Sequence, residues 1–154
     1  MFYHNYAVSH VAQLFERLNQ TELIARMQPK GTVTHGVIYE PITNATYAAA
    51  LGQGTWHVET GQRLRTSPRT DRKGATVHYA CSYRLLESGW ERTQLTLNEL
   101  RTMMERVTLH WTPATDLAFL ARGATEGMIS DHCELHDVAA GIILVREAGG
   151  VVLN

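Results

Sequence analysis

Residues 136–150 read HDVAAGIILVREAGG, from His136 to Gly150. Beyond Asp137, the run Val138, Ala139, Ala140, Ile142, Ile143, Leu144 and Val145 leaves almost no polar face. A helix that is apolar all round has to be buried. Asp is a favoured residue for opening a helix, so the helix is expected to start at Asp137. Gly149-Gly150 supplies the left-handed residue that closes it, and Val151-Val152-Leu153 predicts a strand.

Upstream of this helix, strand and helix signals alternate. Residues 127–130 predict a short strand. Thr112-Pro113 places a capping hydroxyl before a proline at the first helical position, so a helix is expected from there to about Gly123. Residues 107–110 predict another strand. Thr96-Leu97-Asn98-Glu99 has the form of a capping box and predicts a helix to about Arg106, with Leu97, Leu100, Met103 and Met104 as core fillers. Residues 75–81 predict a further strand. The polar stretch at 65–73 (RTSPRTDRK) is expected to be a solvated loop that divides this half from a different rhythm.

Before that loop, residues 33–39, 46–51 and 55–58 are β-prone runs separated by Pro41-Ile42-Thr43-Asn44 and by Gly52 and Gly54, which predicts an antiparallel meander. In the opening segment Val8, Val11, Leu14, Phe15 and Leu18 suit a helix, while its β-branched content suits a strand, and its type stays open. The fold class is α/β: an antiparallel meander followed by alternating strands and helices in layers.

Composition limits the functional classes. The chain has 154 residues, 44% of them hydrophobic, enough for one core and one domain. Fourteen basic and fifteen acidic residues give a net charge of -1, which argues against a nucleic-acid partner. No apolar run approaches the roughly 20 residues of a membrane span, and none reads as a signal peptide. Cys81 and Cys133 lie far apart without a CxxC pattern, as expected of reduced thiols and a cytoplasmic location.

Asp137 is the candidate for chemistry. A carboxylate heading an apolar helix is either a cap or a metal ligand; a hard cation such as magnesium takes carboxylate oxygen, and a helix N-terminus favours a phosphate beside it. A second cluster, Asp131-His132-Cys133-Glu134-Leu135-His136-Asp137, has two histidines four apart beside a cysteine, a spacing that binds zinc or nickel if the segment is helical. The plainer reading is a polar surface loop. Trp56, Trp90 and His78 show no convergent pattern and receive no role.

The stretch from His136 to Gly150 resembles the C-terminal signature of the inositol monophosphatase family, W-D-x-A-A-G-x-x-x-x-x-E-A-G-G. Two more stretches agree in order and spacing. Gly36-Val37-Ile38-Tyr39-Glu40-Pro41, followed by Tyr47, Ala49, Gly52 and Gly54, is similar to the family's G-V-V-Y-D-P meander. Thr112, Ala114, Asp116 and Leu117, with Ala121 and Gly123, resemble its G-S/T-A-A-x-x-L-x-x-V-A-x-G helix. The resemblance implies an αβαβα phosphatase fold and magnesium-dependent hydrolysis of a small phosphate monoester by a metal-activated water. It implies that Asp137 ligates Mg2+ and touches the substrate. It further implies that Trp111, Thr112 and Pro113 contact the substrate, and that Ser130 stands where inositol-specific members place a glutamate. Members are commonly homodimers, so self-association is a further expectation.

The departures shape these expectations. Nothing in the chain resembles the family's D-P-I/L-D-G-T run, which supplies most metal ligands and the water-activating threonine. Phe2-Tyr3-His4 to Ala7-Val8-Ser9 resembles the segment that follows that run. The chain is therefore expected to be a single domain, 1–154, incomplete at its N-terminus and C-terminus, and inactive alone, because one carboxylate does not hold magnesium. The alternative is a non-catalytic relative that binds a partner or its own copy. Trp111 replaces a glycine, Pro113 removes a backbone donor and His136 replaces a tryptophan, all of which argue against inositol phosphate itself as substrate.

Overall fold

A computed structural model describes residues 33–81, 90–131 and 133–153. The expectations for the opening segment and for His132 lie outside these residues.

The first half is the expected meander with one strand more. Strands β1 (His35–Glu40), β2 (Ala45–Ala50), β3 (Gly54–His57) and β4 (Gln62–Leu64) form an antiparallel sheet in sequence order. Ile38 faces Tyr47, and Ala48 faces Trp56. The turn after β1 is made by Asn44 in the left-handed region at φ 54, which asparagine tolerates better than most residues. β4 escaped sequence reading because Leu64 is its only buried residue, which leaves no alternation to recognise.

The second half is a parallel sheet with strand order β6-β5-β7, built from β5 (Thr76–Cys81), β6 (Arg106–His110) and β7 (Gly127–Asp131). Five of the six residues of β5 are buried, as expected for a central parallel strand covered on both faces. Helices α1 (Trp90–Met103) and α2 (Pro113–Ala121) make the crossovers. Side chains alternate across β5. Tyr79 and Cys81 join Leu97 and Leu100 of α1 in one core, while His78 turns to the other face, toward Phe119 of α2.

Two boundaries need correction here. Thr96 does not cap α1: it lies in the helix interior, its hydroxyl donating to the Arg92 carbonyl at 3.0 Å. A mid-helix threonine bonded to the carbonyl four residues back carries the same S/T-x-x-E letters as a capping box. Because α1 begins six residues earlier, Leu97 and Leu100 stay inside but Met103 ends 42% exposed, so it is not a core filler. Pro113 does occupy the first turn of α2; Thr112, however, caps with its backbone, its carbonyl accepting from the Asp116 N–H at 3.0 Å, and makes no side-chain cap bond.

Helix α3 (Leu135–Glu147) lies against α2 and against the antiparallel sheet. Ala139, Gly141, Ile143, Leu144 and Val145 are buried, and Val138, Ala140 and Ile142 half-buried, as its composition demands. Both contacts are too close for side chains. A Cβ at Gly36 of β1 would sit 2.5 Å from the Ala140 carbonyl oxygen, and one at Gly141 would sit 2.4 Å from Leu117 Cβ. The helix end is tied to the β2–β3 turn, since the Glu147 carboxylate accepts from the Gly52 and Gly54 N–H groups at 2.8 Å each. The Thr55 hydroxyl donates to the Leu144 carbonyl at 2.6 Å.

The sequence placed the start of this helix too late. Glu134 is the N-cap residue, and Asp137 sits a turn inside, its N–H donating to the Glu134 carbonyl at 3.0 Å, so Asp137 is not the cap. Gly149 closes the helix region at φ +94. Residues 151–153 form no strand: Val151 and Leu153 are 78% and 86% exposed, and no described strand lies beside them to supply a ladder. The 65–73 loop is likewise not simply solvated. Arg69 lies 3.5 Å from Glu126, which also accepts from the Ser67 hydroxyl at 2.9 Å and the Thr76 N–H at 2.8 Å. No described helix is long and apolar enough to cross a membrane.

Two outcomes follow from the seating of α3. Gly36→Ala is expected to lower stability by about 1–3 kcal/mol, because the Ala140 backbone has to move; urea unfolding with an unchanged slope measures it. The Gly52 and Gly54 amides hold the Glu147 carboxyl below its ordinary 4.5. A depressed carboxyl stabilises the fold above the unfolded value, and this stabilisation is lost as pH falls through the folded value. Between neutral pH and about 4.5 the parent and Glu147→Gln are therefore expected to differ by a constant amount, and below that the gap narrows; a gap that stays constant into acid would show that the carboxylate charge contributes nothing.

Candidate functional site

The three parallel strands end level with one another: Ala80 of β5 is paired with His110 on one side and Ser130 on the other. From β5 the chain crosses through α1 to one flank, then returns through α2 to the opposite flank. Loops leaving the carboxyl ends of strands at such a reversal diverge and open a crevice, the usual ligand position in parallel sheets.

Four of the five residues singled out from the sequence border this edge. Trp111, Thr112 and Pro113 leave β6 and enter α2; Trp111 is 51% exposed, Thr112 exposed and Pro113 half-buried. Ser130 is exposed in β7. Asp137 follows in the first turn of α3, its side chain 45% exposed and its Oδ1 3.4 Å from His136 Nε2. An exposed carboxylate that caps nothing is available to a ligand. Magnesium nevertheless needs one or two carboxylates together with waters and phosphate. The group of three potential ligands found among the described residues does not include Asp137.

The alternative cluster at 131–137 is not one helix face. Asp131 ends β7, where its carboxylate accepts from the Tyr79 hydroxyl at 3.4 Å and lies 3.8 Å from Arg92, and α3 begins only at Leu135. The pairing of His132 with His136 lies outside the described residues.

Sequence reading missed the buried polar group beneath the edge. Asp116 of α2 is 0% exposed and His78 of β5 is 4% exposed. His110 Nδ1 lies 2.7 Å from Asp116 Oδ1, and His78 Nδ1 lies 3.8 Å from the same oxygen. The two imidazoles stack at 4.7 Å, and His78 Nδ1 is 2.6 Å from the hydroxyl of Thr108, its register partner on β6. Burial pushes the His78 imidazole below its ordinary 6.5, the Asp116 charge pulls it back up, and His110 adds to the downward push. Contrary to the sequence reading, His78 does converge with other groups. The available signal was Asp116 itself, the one charged residue on a helix that is apolar apart from Thr115.

Residues 23–154 match the model of the inositol monophosphatase family. The chain is 32% identical over 125 residues to the Nus factor SuhB of Xylella fastidiosa, covering 80% of this chain and 44% of that protein. It is 31% identical over 129 residues to an inositol-1-monophosphatase of Mesorhizobium japonicum, covering 82% and 46%. Among solved structures, the extragenic suppressor protein suhB of Bartonella henselae superposes with a TM-score of 0.70 at 30% identity, over 78% of this chain and 45% of that one. The chain spans about half the length of the relatives it matches. With the signature helix seated between α2 and the meander, and with the match running over most of the sequence, the chain belongs to the inositol monophosphatase family.

Proposed function

We propose that this chain is the substrate-facing part of a magnesium-dependent phosphatase acting on a small phosphate monoester, and that it is inactive by itself. The observation that carries this reading is Asp137: an exposed carboxylate in the first turn of the signature helix. Family membership supplies the reaction class, and an inositol-1-monophosphatase is among the relatives. Asp137 contributes one metal ligand. The remaining ligands come from a D-P-I/L-D-G-T run, which these 154 residues do not contain.

The edge supports a choice of substrate other than inositol monophosphate. Trp111 offers a bulky half-exposed ring and Pro113 offers no N–H, so the entry to α2 has less room and one donor fewer than a glycine-and-alanine loop would have. Ser130 offers a neutral hydroxyl to the non-phosphate moiety instead of a carboxylate. Both free cysteines, one buried and one half-buried, are compatible with a cytoplasmic enzyme.

The test is magnesium-dependent phosphate release from a panel of small monoesters. The chain alone is expected at background. Joined to a family N-terminal segment that carries the missing motif, it is expected to turn over, and Asp137→Asn is then expected to reduce the rate on the order of a hundredfold or more. Release by the unjoined chain would refute the claim that it is inactive alone. A joined enzyme indifferent to Asp137→Asn would remove the ligand role.

A further inference from the structure

We propose that His78, His110 and Asp116 form a binding site for a transition metal ion, with zinc the best match. The site uses none of the residues assigned to phosphate-ester chemistry. One potential ligand atom from each of the three residues lies within 4.8 Å of those of the other two. Two imidazoles and a carboxylate are the donor set of borderline-soft divalent ions and not of magnesium, which prefers oxygen throughout. With bonds of about 2.0–2.1 Å, tetrahedral zinc separates neighbouring donor atoms by about 3.3 Å. The pairs found here, 2.7 Å from His110 Nδ1 to Asp116 Oδ1 and 3.8 Å from His78 Nδ1 to the same oxygen, lie on either side of that spacing.

The second observation is what the site leaves unpartnered. Asp116 Oδ2 is buried without a hydrogen-bond partner among the described residues, and His78 Nδ1 would exchange its 2.6 Å contact with the Thr108 hydroxyl for the ion. A buried carboxylate oxygen normally accepts two bonds, and leaving it bare costs about 1–3 kcal/mol or more. A cation beside Asp116 removes that cost, and the neutral His110 ring then carries its proton on Nε2. His110, whose side chain is 36% exposed, marks the side from which an ion enters and on which a water completes four-coordination.

The ligands come from three elements, β5, β6 and α2, so the ion ties the sheet to the helix. His110 and Asp116 also bracket Trp111, Thr112 and Pro113, and the ion would hold this loop from beneath.

The experiment is a cobalt titration of the metal-free 154-residue chain, followed by displacement with zinc. The expected result is one equivalent of cobalt with the intense visible bands of tetrahedral coordination, displaced stoichiometrically by zinc. His110→Ala is expected to weaken binding at least tenfold, and so is Asp116→Asn, which keeps the shape and a hydrogen bond to His110 and therefore serves if the alanine variant is disturbed. Cys133→Ser and His136→Ala are expected to leave binding unchanged. Absence of a one-equivalent tetrahedral spectrum at micromolar cobalt overturns the proposal. So does a spectrum that survives Asp116→Asn but disappears in Cys133→Ser or His136→Ala, an outcome that would assign the ion to the 131–137 segment.

Discussion

Backbone contact between α3 and its neighbours is the constraint on which the rest of the structure depends. On one side the helix meets β1 at Gly36, and on the other its Gly141 backbone meets the Leu117 side chain of α2, each at a distance that leaves no room for a Cβ on the glycine. Such proximity lets Ile143, Leu144 and Val145 fill the space between the two secondary-structure layers, and all three are at most 2% exposed. Packing at this density depends on shape as well as hydrophobicity, and an added methyl is enough to force the elements apart. The apolar signature helix and the glycines on both sides of it are therefore one feature, distributed over three segments of sequence.

Two glutamates join the halves that this helix brings together. Glu147 fixes the end of α3 to the β2–β3 turn by accepting from two backbone amides, while Glu126 fixes the 65–73 loop to the start of β5. For Glu126, burial pushes the carboxyl up, but bonds from the Thr76 amide and Ser67 hydroxyl, with the Arg69 charge, outweigh it and hold the carboxyl below 4.5. Each carboxylate satisfies backbone amides in a turn or at the first residue of a strand, where the ladder begins. The E-A-G-G ending of the signature is thereby explained in physical terms: the acid secures a distant turn and Gly149 allows the chain to leave at positive φ.

What the sequence disclosed and what it hid differ by range. The meander, the parallel alternation, the proline entry to α2 and the burial of α3 all follow from local periodicity and turn chemistry, and each is found. The errors have a common cause in that local signals do not fix boundaries. Thr96 carried the letters of a cap inside a helix, and Asp137 looked like a cap because Asp is a good one, although Glu134 holds that position. Residues 151–153 have strand composition, but a strand exists only where a neighbour offers a ladder. At the sheet edge, Trp111, Thr112, Pro113 and Ser130 were singled out through the family pattern alone. The His78, His110 and Asp116 group was not, because its members lie 32 and 6 residues apart on three elements and only the parallel register of β5 and β6 brings them together.

That buried group bears on the carboxyl edge of the parallel sheet through the loop it encloses. Between His110 and Asp116 the chain makes a tight entry to a helix: the Thr112 carbonyl accepts from the Asp116 N–H, Pro113 fixes its own φ, and the Asp116 carboxylate reaches back to the His110 ring. The loop is closed from within by a side-chain bond as well as by its backbone. A loop restrained in this way loses little freedom on meeting a ligand, so Trp111 is presented at the edge as a preformed wall. The same restraint limits what the edge can accept. A bulky ring held in place narrows the range of groups that fit beside it. The shape of this loop and the seating of α3 thus rest on different contacts, the His110–Asp116 bond for the first and the close approaches at Gly36 and Gly141 for the second, and can change independently on one scaffold.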